Sequence, residues 1–412
     1  MYQAIVAKIK TKPHPNADRI QLGDVLGFQV VVGLDVKDGD LGVFFPTDGQ
    51  LSDEFCLEND LYPRFADGKK VGGGFIDPKN RRVRAQSFRG EKSYGFWTPV
   101  SYFNYTGVEL KEGQTFTELN KHPICNKYET EHTIKNRRNK SRSADRRETP
   151  MFRMHVDTEQ LKYKIDEIPV GALVTITGKM HGTSGRYGRV LVPHKYSNLP
   201  IVGKLFKPTW SYLLGSRRVI VDDSSTGFYG TNEFRHNSVA GVVLKKGETI
   251  YYELVGFVNK DQPIMSPCSH STVKAKSLKT ELEKYPDPMV FDYGQVNGTC
   301  GLYVYRITMS NEDGELEDLP WVRVRERANE LGFRTPIELD SFIYDGNKEK
   351  LLERVDELTD GDDWYGNHIR EGVVVRVDTN KGTKFYKNKS FLFYVLEGVI
   401  KDSGLEDLEE SS

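Results

Sequence analysis

Four cysteines are all that this 412-residue chain holds, and Cys56, Cys125, Cys268 and Cys300 stand far apart. There is no Cys-x-x-Cys pair and no histidine cluster at zinc-like spacing. A structural zinc site and a disulfide framework are therefore not expected, and four free thiols in a reducing compartment are. No apolar run approaches the roughly 20 residues that span a bilayer. The opening Met1-Tyr-Gln-Ala-Ile-Val-Ala-Lys8 reads as a strand rather than a signal peptide. A cytoplasmic protein with no membrane partner is the expectation. An excess of one charge is lacking too: 58 Lys and Arg stand against 59 Asp and Glu, a net charge of −1. That excludes a chain coated in positive charge but leaves room for local basic surfaces. No internal repeat is visible, and strands and helices do not alternate in a regular βαβ rhythm.

What is present supports real cores: 37% of the residues are hydrophobic and 11% of the chain is aromatic, over a length suited to two or three domains. Residues 1–120 read as short strands punctuated by Gly, Pro and Asp: Ala4–Ile9, Gln29–Val32, then Asp40–Phe45 closed by Pro46. That pattern favours a small β-barrel. Residues 121–154 change character, with Lys135, Arg137, Arg138, Lys140, Arg142, Arg146 and Arg147 crowded into a stretch too polar to fold alone. It reads as a basic linker or arm. Residues 155–404 mix strands with two helix-like stretches, Pro320–Leu331 and Lys348–Leu358, and residues 405–412 form an acidic tail. The class is α+β.

The most informative run is Lys179-Met-His181-Gly182-Thr-Ser184, placed just after the β-branched stretch Ala172–Thr177. A lysine at a strand end, followed by a glycine, can present an amine nucleophile into a cleft. Further along come Gly215-Ser-Arg217, Tyr252-Glu253-Leu-Val-Gly256, Leu302-Tyr-Val-Tyr305, Glu371-Gly-Val-Val-Val375 and Lys384-Phe-Tyr-Lys387-Asn-Lys389-Ser390.

In this order the series resembles the motifs of the covalent lysyl-nucleotidyltransferase superfamily, which comprises ATP-dependent DNA and RNA ligases and mRNA capping enzymes. It is most similar to RNA-repair ligases, whose nucleophile box carries histidine where His181 stands here. In the first domain, His14-Pro-Asn-Ala-Asp-Arg19 looks like the opening of tRNA-binding OB domains. Gly39–Asp48 resembles the amino-terminal OB module of one group of RNA ligases. The resemblance implies an OB-like barrel followed by an ATP-grasp-like adenylation domain of antiparallel sheets with flanking helices. It implies ATP and magnesium (or manganese) as cofactors, RNA ends as partner, and sealing of 3′-hydroxyl to 5′-phosphate through a lysyl-AMP.

On the same resemblance Lys179 is the nucleophile and His181 acts later, near strand joining. Arg217, Glu253, Tyr305, Glu371, Lys384, Lys387 and Lys389 serve ATP, with Glu253 and Glu371 toward the metal. Tyr305 would stack on adenine, and Tyr303 shares its strand parity, so the pair stays open. Arg186 and Arg189 are candidates with no assigned role. The family often has glutamate before the lysine to contact the adenine amine; this chain has Gly178. Lysine has an ordinary pKa of about 10.4, so a free amine at pH 7 requires up to ~4 kcal/mol of help from burial and cations. Two other functions fit parts of the chain: a capping-type guanylyltransferase using GTP, and a non-catalytic RNA-binding protein working through the barrel and the basic arm.

Overall fold

The computed structural model describes residues 2–131, 133–134, 151–193, 207–221, 229–273 and 275–402. The basic cluster from Lys135 to Arg147 and the acidic tail lie outside these residues. The chain divides into two compact units. One gathers Met1–Ile134, Ser269–Lys284 and Phe391–Leu405; the other gathers Lys135–Cys268, Tyr285–Ser390 and Glu406–Ser412.

In the first unit a five-stranded antiparallel sheet runs in the order Thr115–Phe116, Ala4–Lys8, Leu41–Pro46, Glu91–Pro99, Ala85–Phe88. Lys10–Pro13, Ile20–Val25 and Phe28–Gly33 form a second, three-stranded sheet. Phe28–Gly33 alternates buried and half-buried residues, the period-2 signature of a strand with one face in a core. The core is aromatic, with Phe45 packed on Phe55 (5.5 Å) and Phe55 on Phe103 (5.1 Å). Among the described residues the strand pairings do not close into a ring. The three-stranded sheet meets Glu91–Pro99 through side chains: the Val31 N–H donates to Ser93 Oγ (3.2 Å) and Gln29 Nε2 to the Lys92 carbonyl (2.9 Å).

Helix Phe391–Asp402 also belongs to this unit, whereas the sequence reading carried it along with the residues from 155 onward. The reason is packing at long range. Phe391 meets the Tyr94 ring edge-on at 4.9 Å, Arg82 donates to the Gly398 carbonyl (2.9 Å), and Lys401 and Arg82 both pair with Asp48 (3.2 and 2.7 Å).

The second unit is built on two sheets. The first runs Glu159–Gln160, Gly382–Lys389, Gly372–Thr379, Leu173–Gly178, Glu338–Ile343, antiparallel except at its first pair. The second runs Ile220–Val221, Thr209–Ser216, Thr183–Val192, Glu248–Asn259, Cys300–Ser310, Leu316–Asp318, all antiparallel. The two helices foreseen from spacing are present as Trp321–Glu330 and Lys348–Thr359. Trp321, Val324 and Ala328 bury one stripe of the former against the second sheet's core. Leu351, Val355 and Thr359 bury a stripe of the latter, the first two in the core of the first sheet, and its start is capped by Asn347 accepting from the Lys350 N–H at 2.9 Å. Among the described residues no helix is long and apolar enough to cross a membrane.

Candidate active site

The short run from Lys179 to Gly182 is where the chain leaves one sheet of the second unit and enters the other. Strand Leu173–Gly178 is held in the first sheet by its β-branched interior residues, Val174 and Ile176 being fully buried. Backbone bonds continue past its end, from Gly178 N–H to Ile337 O (2.9 Å) and from Lys179 N–H to Gly372 O (3.0 Å). Thr183 then pairs with Leu254 in the second sheet. Gly182 is required by this crossing, since a Cβ there would lie 2.2 Å from the Leu254 carbonyl oxygen. Close backbone approach, not a tight turn, is what selects glycine.

Glu371 stands just before strand Gly372–Thr379, and its side chain is fully buried. Its Oε1 lies 2.6 Å from Lys179 Nζ and 3.8 Å from Lys389 Nζ. Register explains the meeting: Gly372 pairs with Lys389 and Val374 with Lys387, while Lys179 N–H bonds to Gly372. Three of the residues singled out by the motifs are thus one buried charge cluster. A carboxylate and an ammonium this close offset each other's burial cost only if both stay paired. The Lys179 lone pair is engaged as long as that contact holds.

Strand parity separates the remaining lysines. Lys387 and Lys389 point to one face and Lys384 to the other, where it pairs with Glu167 at 2.9 Å and is 54% exposed. Lys384 is therefore not brought into the cluster. Lys387 acts on Asp157, whose carboxyl is held below the usual range first by a 2.9 Å hydrogen bond from Arg217, then by the charges of Arg218 and Lys387. Arg217 and Lys387 so share one surroundings.

Glu253 faces the same interior from the second sheet. It is opposite Ser184 and Tyr303 in register, accepts from Ser184 Oγ at 2.9 Å, and is nearly buried. Tyr303 is fully buried, its ring tilted against Tyr365 (5.6 Å) and its oxygen accepting from Arg334 (3.4 Å). Tyr305 is half-buried and lies edge-on to His155 (4.9 Å). Burial and then Glu253 push its phenol far up. Of the two tyrosines, Tyr305 is the less buried.

His181 is buried, its ring edge-on to Phe291 (4.9 Å) and its backbone N–H donating to the Tyr293 hydroxyl (2.6 Å). Tyr293 is held in the left-handed region (φ 52°), with its own N–H donating to His368 Nε2 (3.4 Å) while His368 Nδ1 donates to the Ile369 carbonyl (2.9 Å). Burial, then the charges of Asp363, Glu371 and Glu253, keep the Tyr293 phenol neutral. The charges of both candidate carboxylates are thus felt at one buried phenol.

Several residues here gave no sequence signal. Arg235, buried in helix Glu233–Ser238, donates to Thr183 Oγ1 (2.7 Å) and the Ser184 carbonyl (3.1 Å), fixing the far end of the nucleophile run. His155 packs on Tyr305 and Phe385 and accepts from Arg306 (3.4 Å). Its pKa falls from 6.5 to about 3, through burial first and then Arg306, Arg217 and Arg376. Trp364 fills the space beside Gly178. Nothing in the spacing of isolated residues such as these could have marked them. Arg186, its guanidinium over the Phe152 ring at 4.6 Å, and Arg189, donating to the Leu244 carbonyl at 3.3 Å, have structural settings.

The sequence matches no protein-family model and no curated protein. Its fold does match solved structures of Naegleria gruberi RNA ligase. The form with pyrophosphate is 16% identical over 97% of this chain and 98% of that one, with a TM-score of 0.58. A lysine-to-alanine mutant with ATP and Mn gives 16% identity, 95% and 98% coverage and a TM-score of 0.58. An apo mutant form gives 16% identity, 95% and 97% coverage and 0.59. At this identity the likeness establishes the fold.

Proposed function

We propose that this chain is an ATP-dependent RNA ligase that seals 3′-hydroxyl and 5′-phosphate ends through a lysyl-AMP on Lys179. The observation that carries the reading is the buried Lys179–Glu371–Lys389 cluster, set at the crossing between two sheets of a fold shared with RNA ligase structures. In the first step Lys179 Nζ bonds to the α-phosphorus of ATP as the bond to pyrophosphate breaks. The AMP then passes to an RNA 5′-phosphate, and a 3′-hydroxyl displaces it.

Each residue has a part in that sequence. Glu371 holds the Lys179 amine in place before substrate arrives, and Lys389 and Lys387 lie where cations would balance charge on the α-phosphate. Tyr305 offers a half-exposed ring to the adenine, with Glu253 beside it. His181 serves the joining step. Arg217, engaged with Asp157 here, is suited to a phosphate once that carboxylate is displaced.

Glu253 and Glu371 supply hard carboxylate oxygens, the donor type that a hydrated magnesium or manganese ion takes when substrate phosphates complete its shell. Such an ion would draw charge from the phosphates during transfer. The first unit we infer to be an OB-type module, supported by its two antiparallel sheets bridged through Ser93 and Gln29, and its partner to be RNA.

The test is incubation with α-labelled ATP or GTP, magnesium and a nicked RNA duplex. Label should pass from ATP to the protein and the nick should close. Labelling by GTP alone would make the chain a guanylyltransferase, and no labelling with intact RNA binding would make it a binding protein.

A further inference from the structure

The first unit carries a surface that its own core does not explain. Strands Pro63–Ala66 and Lys69–Gly73 pair only with each other, joined by Asp67 (φ 49°) and Gly68 (φ 73°). Left-handed backbone at both central positions is the tight hairpin turn whose twist suits the flanking strands. The hairpin stands in solvent. Phe65 is 64% exposed, Val71 65% and Phe75, just beyond it, 50%. Exposed apolar side chains grouped within one short stretch, rather than scattered singly, suit a contact site.

These side chains come with cations. Phe65 lies directly opposite Lys70, whose ammonium donates to the Gly74 carbonyl (2.6 Å), and Ala66 opposite Lys69, so rings and cations share one small hairpin. Beyond the hairpin, Phe75 lies edge-on to Phe88 (6.1 Å) and Phe96 (5.5 Å) of the five-stranded sheet, both half-buried. The hairpin itself, residues 63–73, holds Arg64, Lys69 and Lys70 against Asp67, with Arg64 paired to Asp60 (2.8 Å). Lysine is depleted in the cores of protein–protein interfaces. Exposed rings interleaved with cations suit unpaired nucleic acid, whose bases stack on aromatics while its phosphates take the charges.

We propose that Phe65 and Phe75, with Lys69 and Lys70, bind an unpaired stretch of the RNA substrate. The identity of the ligand as RNA rests on the ligase reading above; the stacking-and-charge character of the surface does not.

The experiment uses the full chain without ATP and a fluorescein-labelled single-stranded RNA bearing a 3′-hydroxyl and a 5′-phosphate, titrated by anisotropy at several salt concentrations. Phe65→Ala should raise Kd about tenfold, within the range for losing one base stack. The double change Lys69→Glu/Lys70→Glu should weaken binding and flatten the dependence of log Kd on log salt by roughly one or more, as loss of two phosphate contacts requires. Lysyl-AMP formation from ATP should stay at the parent's level in both variants, and so should the melting temperature, since the residues are exposed. Kd within twofold of the parent for Phe65→Ala, or an unchanged salt slope in the lysine variant, overturns the proposal. So does loss of lysyl-AMP formation alongside RNA binding, which would make the hairpin structural. If the variants lose RNA affinity while the parent forms no lysyl-AMP at all, the surface stands and the ligase reading falls.

Discussion

Replacing Gly178 with alanine adds one methyl next to the proposed nucleophile, and the surroundings set its cost. A Cβ at this position would lie 2.7 Å from Trp364 Cζ3, 3.2 Å from Trp364 Cε3 and 3.1 Å from Ile337 Cγ2. Carbon atoms normally rest about 3.5–4.0 Å apart, so the indole or the strand must move by several tenths of an ångström. The indole has little freedom. Its other face carries the Arg370 guanidinium at 4.1 Å, which itself donates to the carbonyls of Asp362 (2.7 Å), Asp360 (3.0 Å) and Leu358 (3.2 Å). Overpacking of this kind costs about 1–3 kcal/mol. Gly178→Ala should therefore lower stability by that amount in urea unfolding and slow nucleotide uptake, because Lys179 is anchored through the adjacent peptide. In a Trp364→Ala background the same change should cost clearly less, with only the Ile337 contact remaining, a coupling that a double-mutant cycle measures directly. Gly178→Ala as stable as the parent, or equally costly in both backgrounds, would refute the reasoning. The same geometry bears on base recognition. A glutamate at this position, common in the family that the motifs resemble, has no room here, so Gly178→Glu should impair nucleotide uptake rather than sharpen the choice of ATP.

Further outcomes follow from the site. Glu371→Gln leaves two buried ammonium groups without their carboxylate; it should abolish lysyl-AMP formation and cost about 3–5 kcal/mol of stability by chemical denaturation. Lys384→Ala, by contrast, should keep near-parent nucleotide uptake in a label-transfer assay, because that side chain pairs with Glu167 on the opposite face. Tyr293→Phe strands the buried His181 N–H and should cost about 1–3 kcal/mol, with slower lysyl-AMP formation in rapid-quench kinetics. The His155 pKa is depressed from 6.5 to about 3. The unfolded chain therefore binds a proton that the folded one refuses between those values, and stability falls as pH drops through that window. His155→Gln should remove this part of the acid slope in melts taken from pH 7 to pH 4.

The residues that could be found in the sequence were those with a pattern. Ordered motifs brought out Lys179, Glu371 and Lys389, which the fold gathers within one carboxylate's reach, and 3.6-residue spacing brought out helices Trp321–Glu330 and Lys348–Thr359. What escaped was set by contacts between distant residues of unremarkable context. Lys384 and Lys387 look equivalent until register fixes which faces inward. Phe391-Leu-Phe-Tyr-Val-Leu396 is apolar on every side, so periodicity cannot separate strand from buried helix. Its union with the first unit depends on Arg82 and Asp48, more than 300 residues away in the chain. For that reason deletion of residues 1–150 would uncover a buried helix face and is not a clean test of domain roles. Trp364, Tyr293 and Arg235 are single residues that meet the nucleophile run only in three dimensions.

The central claim is that Lys179 carries the nucleotide. Intact-mass spectrometry of the full chain after mixing with ATP and magnesium measures this in one step, and peptide mapping locates the adduct. The account predicts a gain of one AMP, placed on Lys179 and absent from Lys179→Ala. An unmodified mass in the parent, or an adduct that persists in the alanine variant, would contradict it.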